Sequence, residues 1–181
     1  RQVALWSNQY RRSKEDLKIE VDFTKMDLLS KWLEEQSIIP DQVSIAHGDY
    51  RLGNTIVHGK DPKIIGILDW ELSTIGHPLA DLGYFCIPYR YGLEEQELKK
   101  LGIPSEKEFL DLYMSFSNRS SIPNWPLFLS FSFFRSAAII FGVAARTILG
   151  NVSTGTSDVF EQVKRAEEMA SIGHQILLDE N

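Results

Sequence analysis

Residues 47 to 71 read His47-Gly48-Asp49-Tyr50-Arg51-Leu52-Gly53-Asn54, then Thr55-Ile56-Val57-His58, a polar turn, Ile64-Ile65-Gly66-Ile67-Leu68, and Asp69-Trp70-Glu71. The apolar, β-branched runs on either side of Gly59-Lys60-Asp61-Pro62-Lys63 predict two short strands of a hairpin. Asn54 and Asp69 are nearly equidistant from its tip, so the hairpin brings them together at its open end. Asp49 lies just before the first strand, in a loop able to fold over that end. Two carboxylates and a carboxamide then converge. All three are oxygen ligands or bases, a set suited to Mg²⁺ and to a proton-accepting step.

Composition bounds the rest. A chain of 181 residues can bury one sizeable core and is most simply one domain, residues 1–181. Hydrophobic residues make up 43% and charged residues 24%, an ordinary globular balance. The net charge of −6 argues against a nucleic-acid or anionic-membrane surface. One cysteine, Cys86, excludes an internal disulfide and fits a reducing compartment such as the cytoplasm. Residues 127–149 form the one long apolar stretch, and Arg135 near its middle argues against a membrane span. An arginine there should be buried and paired, with Asp81 and Glu71 as candidate partners, or should border an acceptor pocket.

The fold class expected is α+β, mainly α. Helices are expected over residues 1–14 and 24–36, from Ser105 towards Ser117, over 127–149, and after a cap at Ser157 or Asp158. Ser105 with Glu108 reads as a capping box. Pro123 and Pro126 read as a loop around Trp125. Glu94, Glu95 and Glu97 alternate with Lys99 and Lys100, the pattern of a solvated helix face.

His47-Gly48-Asp49, four residues, Asn54 and the later Asp69 resemble the catalytic loop and metal-binding segment of the aminoglycoside phosphotransferase and choline kinase-like family, relatives of the protein kinases. The resemblance implies a kinase-like C-terminal lobe. In it Asp49 accepts the acceptor's proton, Arg51 faces the transferred phosphate, and Asn54 and Asp69 hold Mg²⁺ against ATP. His47 ties the loop beneath, and Asp81 supports the loop backbone. Glu71 and Arg135 are candidates for a second metal or a substrate group.

Eleven residues between Asp69 and Asp81 leave no room for an activation loop, and Gly48 stands where protein kinases carry an Arg. A small-molecule hydroxyl is therefore the expected acceptor. The run ILDWELSTIGHPLADL resembles the kinase domain fused to acyl-CoA dehydrogenases in some eukaryotic proteins, which implies a hydroxyacyl acceptor carried as a CoA thioester.

No Gly-x-Gly-x-x-Gly occurs, and no β-rich segment precedes residue 43. The expectation is a chain without its N-terminal nucleotide-binding lobe, inactive alone and prone to self-association through an exposed apolar strip. Three other readings remain open. They are an aminoglycoside or other antibiotic kinase, a non-catalytic kinase-like binding module, and a metal-dependent hydrolase using His47, Asp49 and Asp69.

Overall fold

A computed structural model describes residues 2–17, 22–36, 42–92, 94–150 and 159–179. Two compact units result: Arg1–Ile38 with Leu129–Asn181, and Ile39–Phe128.

The first unit is helical. It contains α1 (Gln2–Leu17), α2 (Thr24–Glu35), most of α6 (Trp125–Ile148) and α7 (Val159–Leu178). Every residue from 128 to 138 of α6 is buried, so this helix forms the core rather than one wall of it. It is long and apolar enough to cross a membrane, but 72% of its apolar window is buried inside the protein. It begins two residues earlier than the sequence suggests. Pro126 does not break it, because the amides of a helix's first turn have no helical acceptor to lose.

The stripe of α7 packs as its spacing requires, with Val163, Ala166, Ala170, Gly173 and Leu177 buried. Gly173 permits the closest approach: a Cβ there would lie 2.9 Å from Leu29 Cδ2 and 3.0 Å from Phe133 Cβ. Tyr10 is fully buried, edge-on to Phe141 at 5.6 Å, and its hydroxyl donates to Asp27 Oδ1 at 2.7 Å. Helix α1 runs three residues past the expected end. The cap expected at Ser157 or Asp158 lies outside the described residues.

The second unit holds two small antiparallel sheets. In one, β1 (Ser44–Ala46) pairs with β4 (Thr74–Gly76) in the register Ile45 to Ile75. In the other, β2 (Thr55–Val57) pairs with β3 (Ile64–Ile67), the expected hairpin, with an irregularity between Ile56 and Val57. Three helices complete the unit: α3 (Leu79–Arg90), α4 (Glu95–Lys100) and α5 (Glu106–Ser117). The capping box is formed at α5. Glu108 N donates to Ser105 Oγ, and Ser105 N donates to Glu108 Oε2 at 2.8 Å. Only Leu98 of α4 is buried, which leaves its charges solvated.

Candidate active site

The loop between β1 and β2 is held by side chains reaching its backbone. Asp81, in the first turn of α3, accepts the His47 amide on Oδ2 at 2.6 Å and the Gly48 amide on Oδ1 at 2.8 Å. Charge-assisted bonds of this kind are strong, and here they fix two successive peptide units.

His47 is 3% exposed. Its Nδ1 accepts the Asp49 amide at 3.1 Å, so the proton sits on Nε2, which donates to the Leu68 carbonyl at 2.8 Å. Its ring lies 4.6 Å from that of Trp70. With both nitrogens engaged, His47 ties the loop to the end of β3 and has no lone pair to offer a metal. That removes the imidazole from the hydrolase reading.

Gly48 has φ +84, and a Cβ there would meet the Leu72 carbonyl oxygen at 2.5 Å. Glycine is required by the backbone at this point. The sequence shows only that an arginine is replaced; the structure shows that no side chain fits.

Asn54 ends a short 3₁₀ turn (Leu52–Asn54) and is 2% exposed. Its Nδ2 donates to Asp49 Oδ2 at 2.7 Å and to the Asp49 carbonyl at 2.9 Å. Asn54 therefore orients the Asp49 carboxylate and keeps its own Oδ1 as an acceptor. The Leu68 amide donates to the Asn54 carbonyl at 2.8 Å, which extends the β2–β3 ladder by one pair. Asn54 thus faces Leu68, one residue before Asp69, close to the convergence counted from the sequence.

Asp69 is exposed, with φ 62 and ψ 54, and it precedes the turn Trp70–Leu72. A non-glycine residue in the left-handed region carries a conformational cost of order 1–3 kcal/mol and persists where surrounding contacts enforce it. Here the enforcing bonds are Trp70 Nε1 to the Ile67 carbonyl at 2.9 Å and Ser73 N to the Trp70 carbonyl at 2.9 Å.

The Asn54 Oδ1 and the Asp69 carboxylate are hard oxygen donors, which fit Mg²⁺ rather than a thiolate- or imidazole-bound metal. Among the described residues no group of three or more His, Cys, Asp or Glu could hold a metal ion.

Arg51 is half exposed, and its Nε stands 3.5 Å from Asp49 Oδ2. The contact is long and exposed, so the guanidinium is weakly held. Glu71 is exposed in the turn after Asp69. Arg135 belongs to the other unit, is 6% exposed, and has its guanidinium carbon 5.2 Å from the Trp6 ring. The expected burial of Arg135 is observed, with Trp6 as one of its contacts. Cys86 is buried, and desolvation with the nearby Glu106 pushes its thiol well above its ordinary range, so it is inert.

Sequence reasoning missed the rings that brace this loop. Tyr50 lies 6.0 Å from His47 and 5.8 Å from Phe85, and Phe85 stacks on Phe109 at 5.1 Å. The positions are scattered over sixty residues, and nothing local marks them as neighbours.

The Phosphotransferase enzyme family (APH) matches residues 1–103. Acyl-CoA dehydrogenase family member 11 from Homo sapiens is 37% identical over 97% of this chain, and family member 10 from Mus musculus is 35% identical over 95%. The chain spans only 23% and 16% of those two proteins' lengths. A Ralstonia eutropha JMP134 structure, assigned as an aminoglycoside phosphotransferase, superposes with a TM-score of 0.81 at 35% identity, over 97% of this chain and 54% of that one. By the family match over residues 1–103, more than half of its length, the chain belongs to the phosphotransferase enzyme family.

Proposed function

We propose that this chain is the acceptor-side lobe of an ATP-dependent phosphotransferase acting on a small-molecule hydroxyl, of the hydroxyacyl-CoA class. The observation that carries the reading is the Asp49 carboxylate. It is held at 2.7 Å by a buried Asn54 amide, on a loop whose own amides are clamped by Asp81. A carboxylate so fixed can take the proton of an acceptor hydroxyl as its oxygen bonds to phosphorus.

Arg51 is free enough to swing from Asp49 to the phosphoryl oxygens, where developing charge needs a donor. Asn54 and Asp69 would hold a Mg²⁺ ion, which neutralises nucleotide charge when bound. The covering of the nucleotide's phosphates falls to parts of the longer protein outside these residues. The solved relative, of which this chain spans 54%, supports that division.

Residues 70–80 are taken up by a turn, by β4 and by the entry to α3, an arrangement that supports a small acceptor over a protein one. The names of the curated relatives favour an acyl-CoA acceptor over an aminoglycoside. The test is incubation of the full-length protein with Mg-ATP and a 3-hydroxyacyl-CoA, with an aminoglycoside in parallel, read by ADP release and product mass. A phosphorylated acyl-CoA supports the proposal. Phosphorylation of the aminoglycoside alone would replace the acceptor class, and no turnover on either would favour a non-catalytic binding module.

A further inference from the structure

Gly53 stands in the middle of the turn Leu52–Asn54, and its backbone does not call for glycine. The glycines with positive φ are Gly48, Gly92, Gly102 and Gly150 among the described residues, and Gly53 is not one of them. An alanine could take its place without strain in the chain. What the missing side chain leaves room for is Arg51. A Cβ at residue 53 would lie 2.6 Å from Arg51 Nη1 and 3.4 Å from its Cζ. Chain neighbours aside, no other described side chain would come within 4 Å of it.

The turn creates this approach. The Asn54 amide donates to the Arg51 carbonyl at 2.9 Å, which folds residue 53 back against residue 51. From above Gly53 the Arg51 Nε reaches Asp49 Oδ2 at 3.5 Å, the oxygen that also accepts Asn54 Nδ2. Both donors therefore stand on one side of the carboxylate. Asp49 Oδ1 accepts no hydrogen bond from a described residue and is left for an acceptor hydroxyl. The ion pair is too long and too exposed to hold a flexible guanidinium by itself.

We infer that Gly53 is a positioning residue for Arg51: its bare Cα is the seat over which the guanidinium lies beside Asp49, within reach of the transferred phosphoryl group. The part given to Arg51 rests on the phosphotransferase reading above. The seat itself is tested without turnover.

Full-length wild type, Arg51→Gln, Gly53→Ala and the double variant are compared in two ways. One is single-turnover phosphoryl transfer from Mg-ATP to the acceptor that wild type uses, beside calorimetric Mg-ATP binding. The other is crystal structures of wild type and Gly53→Ala. Arg51→Gln should lower the rate by about 10²-fold, as loss of one charge-stabilising donor does. Gly53→Ala should lower it by about tenfold or more through displacement of that donor, with Mg-ATP affinity close to wild type. The double variant should be no slower than Arg51→Gln, because Gly53 acts only through Arg51. In the crystals the guanidinium should lie over residue 53 in wild type and be moved off it in Gly53→Ala.

An equal further loss on adding Gly53→Ala to Arg51→Gln would overturn the inference, as would wild-type transfer by either single variant. The same Arg51 position in both crystal structures would also overturn it. A Gly53→Ala protein that folds only together with Arg51→Gln, as judged by circular dichroism, supports it, since the guanidinium is then the obstacle. Failure of both to fold would show that the backbone itself needs glycine, against the inference. Absence of transfer by wild type to any acceptor would overturn the phosphotransferase reading, and the crystal structures would still decide for or against the seat.

Discussion

The helical unit and the site-bearing unit are held by different forces. In the first, Tyr10, Met26, Leu29, Phe133, Phe134, Phe141 and Val163 are all at most 1% exposed, and stability comes from burial and close packing. In the second, the strands are three or four residues long, and Ile45, Ile75, Val57 and Ile65 are all more than half exposed. What fixes its geometry is a few polar bonds to backbone, from Asp81, His47 and Asn54. Packing tolerates small adjustments spread over many contacts. A loop pinned by a handful of bonds does not, so its residues should be sensitive for activity and insensitive for bulk helicity.

Gly48→Ala should break the contrast most sharply. It forces a Cβ into the left-handed region and onto the Leu72 carbonyl, 2.5 Å away. Turnover of the full-length protein should fall by about 10²-fold or more through misplacement of Asp49. The far-UV circular dichroism of the helices should remain. A variant with near wild-type turnover would show that the loop does not need this path.

Gly173→Ala probes the other unit. Overpacking against Leu29 and Phe133 should cost about 1–3 kcal/mol. Denaturant midpoints should drop, with kcat per folded molecule unchanged.

Ser105→Ala removes one half of a capping box and should cost about 1 kcal/mol. Amide exchange should speed up in the first turn of α5 and leave α6 unaffected.

The smallest effect concerns pH. Glu167 on α7 accepts the Lys25 amide at 3.3 Å at the start of α2, and its Oε1 is buried without a partner among the described residues. Burial, with Asp22 and Asp27 nearby, pushes its carboxyl up to about 7, against the opposing bonds from the Met26 and Lys25 amides. Lys14 is engaged by Asp27 at 2.6 Å, as is the Tyr10 hydroxyl at 2.7 Å. A raised acid favours the fold while protonated. The contribution is complete below the unfolded value near 4.5 and is lost as pH rises through about 7. Glu167→Gln should match wild type near pH 4.5 and be modestly more stable at pH 8, as read by thermal melts at the two pH values.

The two units were not equally legible in the sequence. Helical periodicity is a local signal, so α2, α5 and α6 could be drawn from spacing and capping residues within a residue or two. The hairpin was legible because both strands flank one turn. The pairing of β1 with β4 was not, because Thr74-Ile75-Gly76 is too short to show alternation, and its partner lies thirty residues away.

In the site, counting from the turn put Asn54 at the open end of the hairpin, where it meets Asp49. The role of Gly48 against Leu72, and the engagement of both His47 nitrogens, depend on contacts between segments that no spacing rule reports. For Arg135, burial was readable from the surrounding apolar run, whereas its contact with Trp6, on a different helix, was not.

The central claim is that Asp49 is the proton acceptor and that Asp69 serves the metal-bound nucleotide. The most direct measurement is single-turnover phosphoryl transfer by full-length Asp49→Asn and Asp69→Ala, beside calorimetric Mg-ATP binding. Asp49→Asn should lower the rate by about 10²–10⁴-fold with Mg-ATP affinity close to wild type, and Asp69→Ala should weaken Mg-ATP binding itself. Near wild-type transfer by Asp49→Asn, or undiminished Mg-ATP binding by Asp69→Ala, would contradict the account.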